Sequence, residues 1–327
     1  MNSFLVKNLF DKSRLEMLPT RDGYGKGLVK AGEKDKRVVV LCADLAESTR
    51  SHWFKEKFPD RFIEIGVAEQ NMATVAAGMA NYGKIPFISS YACFNPGRNN
   101  EQIRTTISLN NVPVKIAGAH AGISVGPDGA THQALEDIAL MRVQPRMVVL
   151  VPSDAIEAEK ATVAAAFNGS PTYIRIAREK TPVFTTQKTP FEIGKAEIFY
   201  KGKDITIVAC GPLVHQALLA AHQLKKEKIS AEVINNHTVK PLDEKTILKS
   251  VKKTRAVVTV EEHQVMGGMG SAVVEMLAKN FPVPVEMVGI KDRFGESGKP
   301  DELMQFFGLT ELFIAKAAKK SIKRKNS

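Results

Sequence analysis

The sequence predicts an α/β protein of two domains, the first built around a parallel sheet. Three observations support this fold class: a length of 327 residues, strand-like runs that are apolar throughout, and helical patterns between those runs. Parallel strands covered by helices on both faces are apolar at successive positions. We predict a first domain over residues 1–180, a linker over 181–196 and a smaller α/β domain over 197–327.

Apolar runs and helical patterns alternate along the first domain, which is typical of a β/α unit. The predicted strands lie at residues 38–45, 61–66, 85–92, 112–118, 147–153 and 171–177. The predicted helices lie at residues 68–83, 99–110, 133–143 and 153–169. Ser153 or Asp154 is a good N-cap for the last of these helices, and Gly169 is a good stop signal.

The linker lies in a stretch, residues 179–204, that is rich in Thr, Pro, Lys and Gly and lacks helical period. A second alternating series follows it. Its predicted strands lie within residues 204–212, 230–243, 255–263 and 284–290, and its predicted helices at residues 213–228, 244–254 and 267–280.

Cysteine usage and hydropathy exclude several protein classes. Cys42, Cys93 and Cys210 are widely spaced and form no metal-ligand pattern, so we expect a reduced, cytoplasmic protein. The N-terminus has no signal-peptide apolar region, and no apolar run approaches the roughly 18 residues that cross a bilayer. We therefore expect neither secretion nor membrane insertion.

The net charge of +11 is concentrated partly at the C-terminus, where residues from Ala315 onward carry six Lys or Arg and no acid. We expect this tail to be a frayed, solvated end rather than an arm that binds nucleic acid. Removing these six charges from +11 leaves +5. This remainder suits a protein that binds small anions such as phosphates.

A glycine-rich loop, HQVMGGMGSAV at residues 263–273, follows a predicted strand and opens a helix, which is where a dinucleotide-binding loop would lie. The loop lacks the third glycine of GxGxxG, and no acid stands at the end of the next strand. These departures favour a structural turn over a nucleotide site.

A second glycine-rich loop, residues 118–137, places His120, Asp128 and His132 after a predicted strand, at the edge where ligands bind in α/β sheets. One interpretation is a metal site, although no HxH or HxxxH spacing fixes a chelate. Hydrogen bonding to a polyhydroxylated substrate and proton transfer fit these residue types better. Loop histidines without a role are the third interpretation.

Glu69 stands in the first turn of the helix over residues 68–83. Taken alone, it is best explained by capping, because an acid there offsets the helix dipole and can bind free amides. Tyr91 and Phe94 follow the next predicted strand, and a half-buried strand face would explain them. All three nevertheless share one predicted sheet edge with the histidines, which favours a common site.

Several longer segments together resemble the C-terminal half of transketolase. TRDGYGKGL, CADLAES, GVAEQNM, PFISSYACFNPGRNNEQIR, GAHAGISVGPDGATHQALEDIALMR and IRIAR occur in the family's order and cover nearly the whole chain. The resemblance implies a thiamine-diphosphate-binding pyrimidine domain followed by a transketolase C-terminal domain. It also implies transfer of a two-carbon ketol unit between sugar phosphates, as in the pentose phosphate pathway.

The resemblance implies roles for the residues at this edge. Glu69, Tyr91 and Phe94 would bind the cofactor: the carboxyl group would hydrogen-bond a pyrimidine nitrogen, and the rings would flank the pyrimidine. Tyr91 stands where transketolases usually have Phe. Glu69, His120 and His132 would be catalytic, and the substrate-binding set would include an aspartate for a sugar hydroxyl and two guanidinium groups for a phosphate. That set is Arg21, Ser48, His120, Asp128, His132 and Arg178.

A complete transketolase begins with a diphosphate-binding domain whose GDG motif and downstream Asn hold a divalent metal, and neither occurs here. The resemblance therefore implies a separate N-terminal subunit that holds Mg or Ca, in a heterotetramer, with no metal ligand from this chain. The alternatives are the beta subunit of a 2-oxo acid dehydrogenase's thiamine-dependent component, a relative of 1-deoxyxylulose-5-phosphate synthase, and a non-catalytic homologue. The donor and acceptor sugars stay open.

Overall fold

A computed structural model describes residues 3–326 and confirms the α/β fold class. The strands are β1 (Met17–Leu18), β2 (Val38–Cys42), β3 (Phe62–Glu64), β4 (Ile85–Tyr91), β5 (Lys115–Ala119), β6 (Val148–Leu150), β7 (Thr172–Arg175), β8 (Thr181–Pro182), β9 (Glu197–Tyr200), β10 (Ile205–Ala209), β11 (Ala231–Asn235), β12 (Thr238–Lys240), β13 (Val257–Gln264) and β14 (Val285–Ile290).

Helices cover the sheets. They are α1 (Thr20–Lys34), α2 (Ala46–Thr49), α3 (His52–Lys57), α4 (Glu69–Asn81), α5 (Asn100–Gln102), α6 (Asp137–Arg142), α7 (Ala155–Ala166), α8 (Leu213–Lys226), α9 (Glu244–Thr254), α10 (Met269–Asn280), α11 (Pro300–Phe306) and α12 (Glu311–Asn326). A π-helix, Ile103–Ser108, continues α5. Among residues 3–326, no helix is long and apolar enough to span a membrane.

The first sheet has seven strands in the order β12-β6-β7-β5-β4-β2-β3. All six predicted strands of the first domain are present and parallel, so their carboxyl ends meet at one edge. The seventh strand was not expected there. The predicted run over residues 230–243 divides into β11 of the second sheet and β12, which returns to the first sheet and pairs antiparallel with β6.

Close contact between α1 and α7 explains two of the three glycines of TRDGYGKGL. A Cβ on Gly23 would lie 2.0 Å from the Ala155 carbonyl oxygen, and a Cβ on Gly27 would lie 2.5 Å from Cβ of Thr162. Only glycine permits this separation of the two helices. The packing fixes the N-terminus of α1, which carries Arg21, beside the carboxyl edge of the first sheet.

The second sheet has five strands in the order β14-β13-β10-β11-β9, of which only β9 is antiparallel to its neighbour. Its glycine-rich loop is a structural turn, as predicted. Glu261 of β13 accepts hydrogen bonds from the amides of Met269 and Gly270 at 2.6 and 2.8 Å. A Cβ on Gly268 would lie 2.2 Å from that carboxylate. A side chain of this chain thus takes the amides that a phosphate would need.

The basic C-terminal segment is a docked helix, so the prediction of a frayed, solvated end is wrong for the residues described. Ile314, Ala315 and Ala318 of α12 are buried against the second domain's core. Lys320 and Arg324 both pair with Glu286 of β14 at 2.9 and 2.8 Å. The sequence hides this stripe because small and basic residues alternate within it, and the lysines extend to solvent from a helix whose other face is apolar.

Candidate active site

Glu69 begins α4, and its side chain is buried. Its Oε1 accepts a hydrogen bond from Ser90 Oγ at 2.9 Å, and its Oε2 pairs with Nη1 of Arg98 at 2.6 Å. The carboxylate thus contacts the next strand and its loop rather than the free amides of its own helix. The amide-binding part of the capping interpretation is therefore wrong, although Glu69 does stand in the first turn, where an acid offsets the helix dipole.

The loop after β4 is held in place by two buried asparagines. Asn95 Nδ2 donates to the carbonyl groups of Ile88 and Ala117 at 3.2 and 3.1 Å. Asn99 Nδ2 donates to Asn95 Oδ1 at 2.9 Å and to the carbonyl of Glu69 at 3.2 Å. This network ties the loop to the start of α4, which positions both the buried carboxylate and the aromatic residues of the loop.

Four rings cluster at the carboxyl edge near Glu69, those of Tyr91, Phe94, His120 and His132. Tyr91 and Phe94 are roughly parallel at 6.1 Å between centroids, and Tyr91 lies 4.0 Å from the ring of His120. His132 meets both aromatic rings edge-on, at 6.0 Å from Tyr91 and 5.6 Å from Phe94. The structure therefore brings together four rings that are spread over 41 positions of the sequence, from Tyr91 to His132.

His120 follows β5 directly and has a left-handed backbone with φ of +54°. Its Nε2 lies 3.5 Å from Nη1 of Arg21, while its buried Nδ1 has no hydrogen-bond partner within residues 3–326. Burial, together with the charges of Arg21 and Arg178, lowers the pKa of His120 to about 3. The imidazole is neutral at physiological pH, so it can donate or accept a hydrogen bond to a ligand hydroxyl.

Positive charge accumulates on the other side of His120. Arg21 donates to the carbonyl of Ser48 at 3.0 Å, and Arg178 donates to the carbonyl of Val125 at 2.8 Å. Burial and the nearby charge of Arg50 lower the pKa of Arg21. The predicted Ser48 contributes its carbonyl to this contact. Guanidinium groups gathered in this way suit a phosphate or another oxyanion.

Asp128 and His132 do not converge on a metal position. Asp128 is exposed and lies 3.5 Å from Nη1 of Arg178, and His132 Nδ1 lies 2.9 Å from Thr131 Oγ1. Within the described chain, no group of three His, Cys, Asp or Glu side chains is arranged to hold a metal ion. The hydrogen-bonding interpretation of this loop fits the geometry better than the metal interpretation.

Sequence reasoning does not single out Ser90 and Arg98 as site residues, although both contact Glu69. Ser90 occupies the next-to-last position of β4, where the side chain faces the helix that Glu69 begins. The available signal is positional: a polar residue near the end of a strand that reads as apolar, followed by an arginine in the adjoining loop. Neither the residue types of Ser90 and Arg98 nor their spacing from Glu69 identifies Glu69 as their shared partner.

Two family models match the chain, one described as the transketolase pyrimidine binding domain over residues 16–183 and one as the transketolase C-terminal domain over residues 194–314. The chain belongs to the transketolase family. This result confirms the resemblance and the order of its two domain types. The exact domain limits, 1–180 and 197–327, stay predictions.

Separate C-terminal sections of transketolase are among the chain's relatives. A transketolase C-terminal section of Methanocaldococcus jannaschii is 44% identical over 307 residues, covering 93% of this chain and 96% of the relative. A 6-deoxy-6-sulfo-D-fructose transketolase subunit of a Clostridium species is 42% identical over 313 residues, covering 96% and 97%. A solved structure described as a split gene transketolase, inactive beta4 tetramer, has a TM-score of 0.89 at 44% identity and covers 94% and 99%.

Proposed function

We propose that this chain is the C-terminal subunit of a split transketolase. It would transfer a two-carbon ketol unit between sugar phosphates together with a separate N-terminal subunit. The observation that carries the proposal is the buried Glu69 carboxylate at the same sheet edge as the rings of Tyr91, Phe94 and His120. A buried carboxylate beside flat aromatic faces is the environment that a pyrimidine nitrogen needs.

The residues present fit thiamine diphosphate. Glu69 would hold a ring nitrogen of the pyrimidine and share a proton with it, while Tyr91 and Phe94 would flank the ring. When bound, the cofactor supplies the thiazolium carbon that carries the two-carbon unit. We assign its diphosphate, and the Mg or Ca ion that accompanies it, to the N-terminal subunit.

The opposite side of the site would bind the sugar. Neutral His120 and the ring of His132 would hydrogen-bond the hydroxyl and carbonyl oxygens near the reacting carbons and move protons there. Asp128 would accept from a sugar hydroxyl, and Arg21, Ser48 and Arg178 would hold the terminal anion. One Clostridium relative is named for a sulfo sugar, so a sulfonate is a second candidate for this anion beside a phosphate.

An obligatory partner follows from the same assignment, because this chain would supply only the pyrimidine side of the cofactor. A similar chain is described as an inactive beta4 tetramer, which supports our expectation that this chain alone is inactive. We propose a heterotetramer with two copies of each subunit. Each cofactor would then lie between an N-terminal and a C-terminal subunit.

Reconstitution tests the proposal. The chain is co-purified with an N-terminal subunit that carries GDG and a downstream Asn, and supplied with thiamine diphosphate and Mg²⁺. We expect ketol transfer from a ketose phosphate or a 6-sulfo ketose to an aldose phosphate, and negligible turnover by the chain alone. Efficient turnover without the partner, or decarboxylation of pyruvate in preference to ketol transfer, would contradict it.

A further inference from the structure

Arg98 occupies two surfaces of the site at once. Its Nη1 lies 2.6 Å from Oε2 of Glu69, and its guanidinium carbon lies 4.4 Å from the ring centroid of Phe94. The side chain is 43% exposed, whereas that of Glu69 is 1% exposed. A half-exposed cation thus reaches inward to a buried carboxylate across an aromatic face.

These contacts have the form that a bound aminopyrimidine would have. A guanidinium is flat, stacks on aromatic rings and presents N–H groups in its plane, as a protonated or imino pyrimidine does. The other carboxylate oxygen, Oε1, already accepts from Ser90. A ring nitrogen approaching Glu69 over Phe94 would therefore meet the guanidinium of Arg98 at Oε2.

The Arg98 backbone is anchored in its loop, whereas its side chain is half-exposed. Its backbone amide donates to the carbonyl of Phe94 at 3.0 Å, and the neighbouring Asn99 is buried and bonded to both Asn95 and the Glu69 carbonyl. The exposed side chain can rotate toward solvent without disturbing this loop. The stacked contact with Phe94 and the ion pair with Glu69 would be broken together by one rotation.

We propose that Arg98 is a displaceable positioning residue that occupies the pyrimidine's place on Glu69 and Phe94 until the cofactor ring replaces it. The inference rests on the proposed function. Arg98 keeps the buried carboxylate of Glu69 paired before the subunits and cofactor assemble, because an unpaired buried charge is costly. It also lowers the apparent cofactor affinity, since part of the binding free energy is spent on displacing the guanidinium.

Equilibrium binding of thiamine diphosphate to the reconstituted complex tests the proposal. With Mg²⁺ present, calorimetry should show that Arg98→Ala binds the cofactor about five- to fiftyfold more tightly than the parent protein. The matched control is Arg104→Ala, an exposed arginine six residues later in the same segment, which should leave the dissociation constant unchanged. Equal or weaker binding by Arg98→Ala than by the parent would overturn the inference.

Unfolding of the chain alone provides a readout without cofactor. Glu69→Gln, Arg98→Ala and the double variant form a thermodynamic cycle. We expect the double variant to lose less stability than the two single losses added together, and simple additivity would overturn the ion pair in solution. If the parent complex binds no thiamine diphosphate at all while the cycle still shows coupling, the proposed function itself fails and takes this inference with it.

Discussion

Glu69 and Glu261 are both buried glutamates at the carboxyl edge of a parallel sheet, yet their partners differ in kind. Glu261 accepts from two backbone amides at the start of α10, within a cradle that two glycines leave open. Glu69 is held by a serine hydroxyl and by a half-exposed arginine. Main-chain donors cannot leave, whereas side-chain donors can be exchanged for a ligand. The first arrangement supports the fold, and the second suits a binding site.

The binding of free helix amides, which the sequence alone suggests for Glu69, is carried out by Glu261 instead. A carboxylate does satisfy the free amides of a helix in this protein, but it reaches them from the preceding strand, at Glu261, rather than from the helix's first turn. The four donors at a helix start face back along the chain. A residue before the helix is therefore better placed to bind them than one within it.

The largest effect should come from Glu69→Gln. The amide keeps the size of the side chain and can still accept from Ser90, but it cannot share a proton with a pyrimidine nitrogen. We expect kcat of the reconstituted complex to fall at least about a hundredfold, which is typical for loss of acid–base function. Steady-state kinetics with a ketose phosphate donor measures this. Unchanged turnover would favour the non-catalytic alternative.

Glu261→Ala should affect stability rather than turnover. It leaves two buried amides without an acceptor, which we expect to lower the free energy of unfolding by about 2 to 4 kcal/mol, measured by urea unfolding. Turnover per folded molecule should be retained. The control is Glu275→Ala on the same helix, a residue whose side chain is 58% exposed, which should change stability by less than about 1 kcal/mol. A large loss of turnover in folded Glu261→Ala would break the contrast.

The pH dependence of that effect sharpens the comparison. Burial raises the pKa of Glu261 from 4.5 to about 7, against the opposing effect of the two amides. A raised carboxyl pKa contributes stability that is complete below about 4.5 and is lost as pH rises through 7. The stability difference between the parent and Glu261→Gln should therefore shrink from pH 5 to pH 8. A difference that grows would mean that the amides hold the carboxylate ionised.

The order of strands and helices could be predicted from the sequence because parallel strands are uniformly apolar and helices have a distinct period. Several elements were not predicted, among them α12, α1 and β12, and for the last two the reason lies in tertiary contacts. Helix α1 contains four glycines, which weaken any helix prediction. The contacts that require them are tertiary: Gly23 and Gly27 face α7, whereas Gly25 and Gly32 face the segment of residues 50–58. β12 pairs with a strand nearly ninety positions earlier, at Leu150, and no local pattern encodes that partner.

The site could be predicted in part. Glu69, Tyr91, Phe94, His120 and His132 share a sheet edge because each ends or follows a parallel strand, and that rule needs no coordinates. The partner of Glu69 could not be found in this way. Arg98 reads as one more loop cation, and its contact with a buried acid depends on how Asn95 and Asn99 fold the loop. Exposure and charge state are likewise three-dimensional properties.

His120→Gln should have an intermediate effect on turnover. The amide retains a hydrogen-bonding group but loses the ring that contacts Tyr91, so we expect kcat/KM to fall about ten- to hundredfold. Because the folded pKa is about 3 and the ordinary value 6.5, the parent should also lose stability relative to this variant as pH falls from 6.5 toward 3. In NMR titrations, the His120 signal of the parent protein is identified by its absence from the variant. This signal should not shift between pH 5 and 8. A midpoint near 6.5 would contradict this.

The smallest effect should come from Ser90→Ala, which removes the donor to Oε1 of Glu69. Adjacent Ser89 is an internal control because it is equally buried but faces the other way and bonds the hydroxyl of Tyr24 at 2.7 Å. We expect Ser90→Ala to lower kcat about three- to tenfold, since one hydrogen bond to a carboxylate contributes about 1.5 kcal/mol, with Ser89→Ala changing stability alone. If both variants altered only stability, Glu69 would be held by structural donors as Glu261 is, and the contrast between the two glutamates would fail.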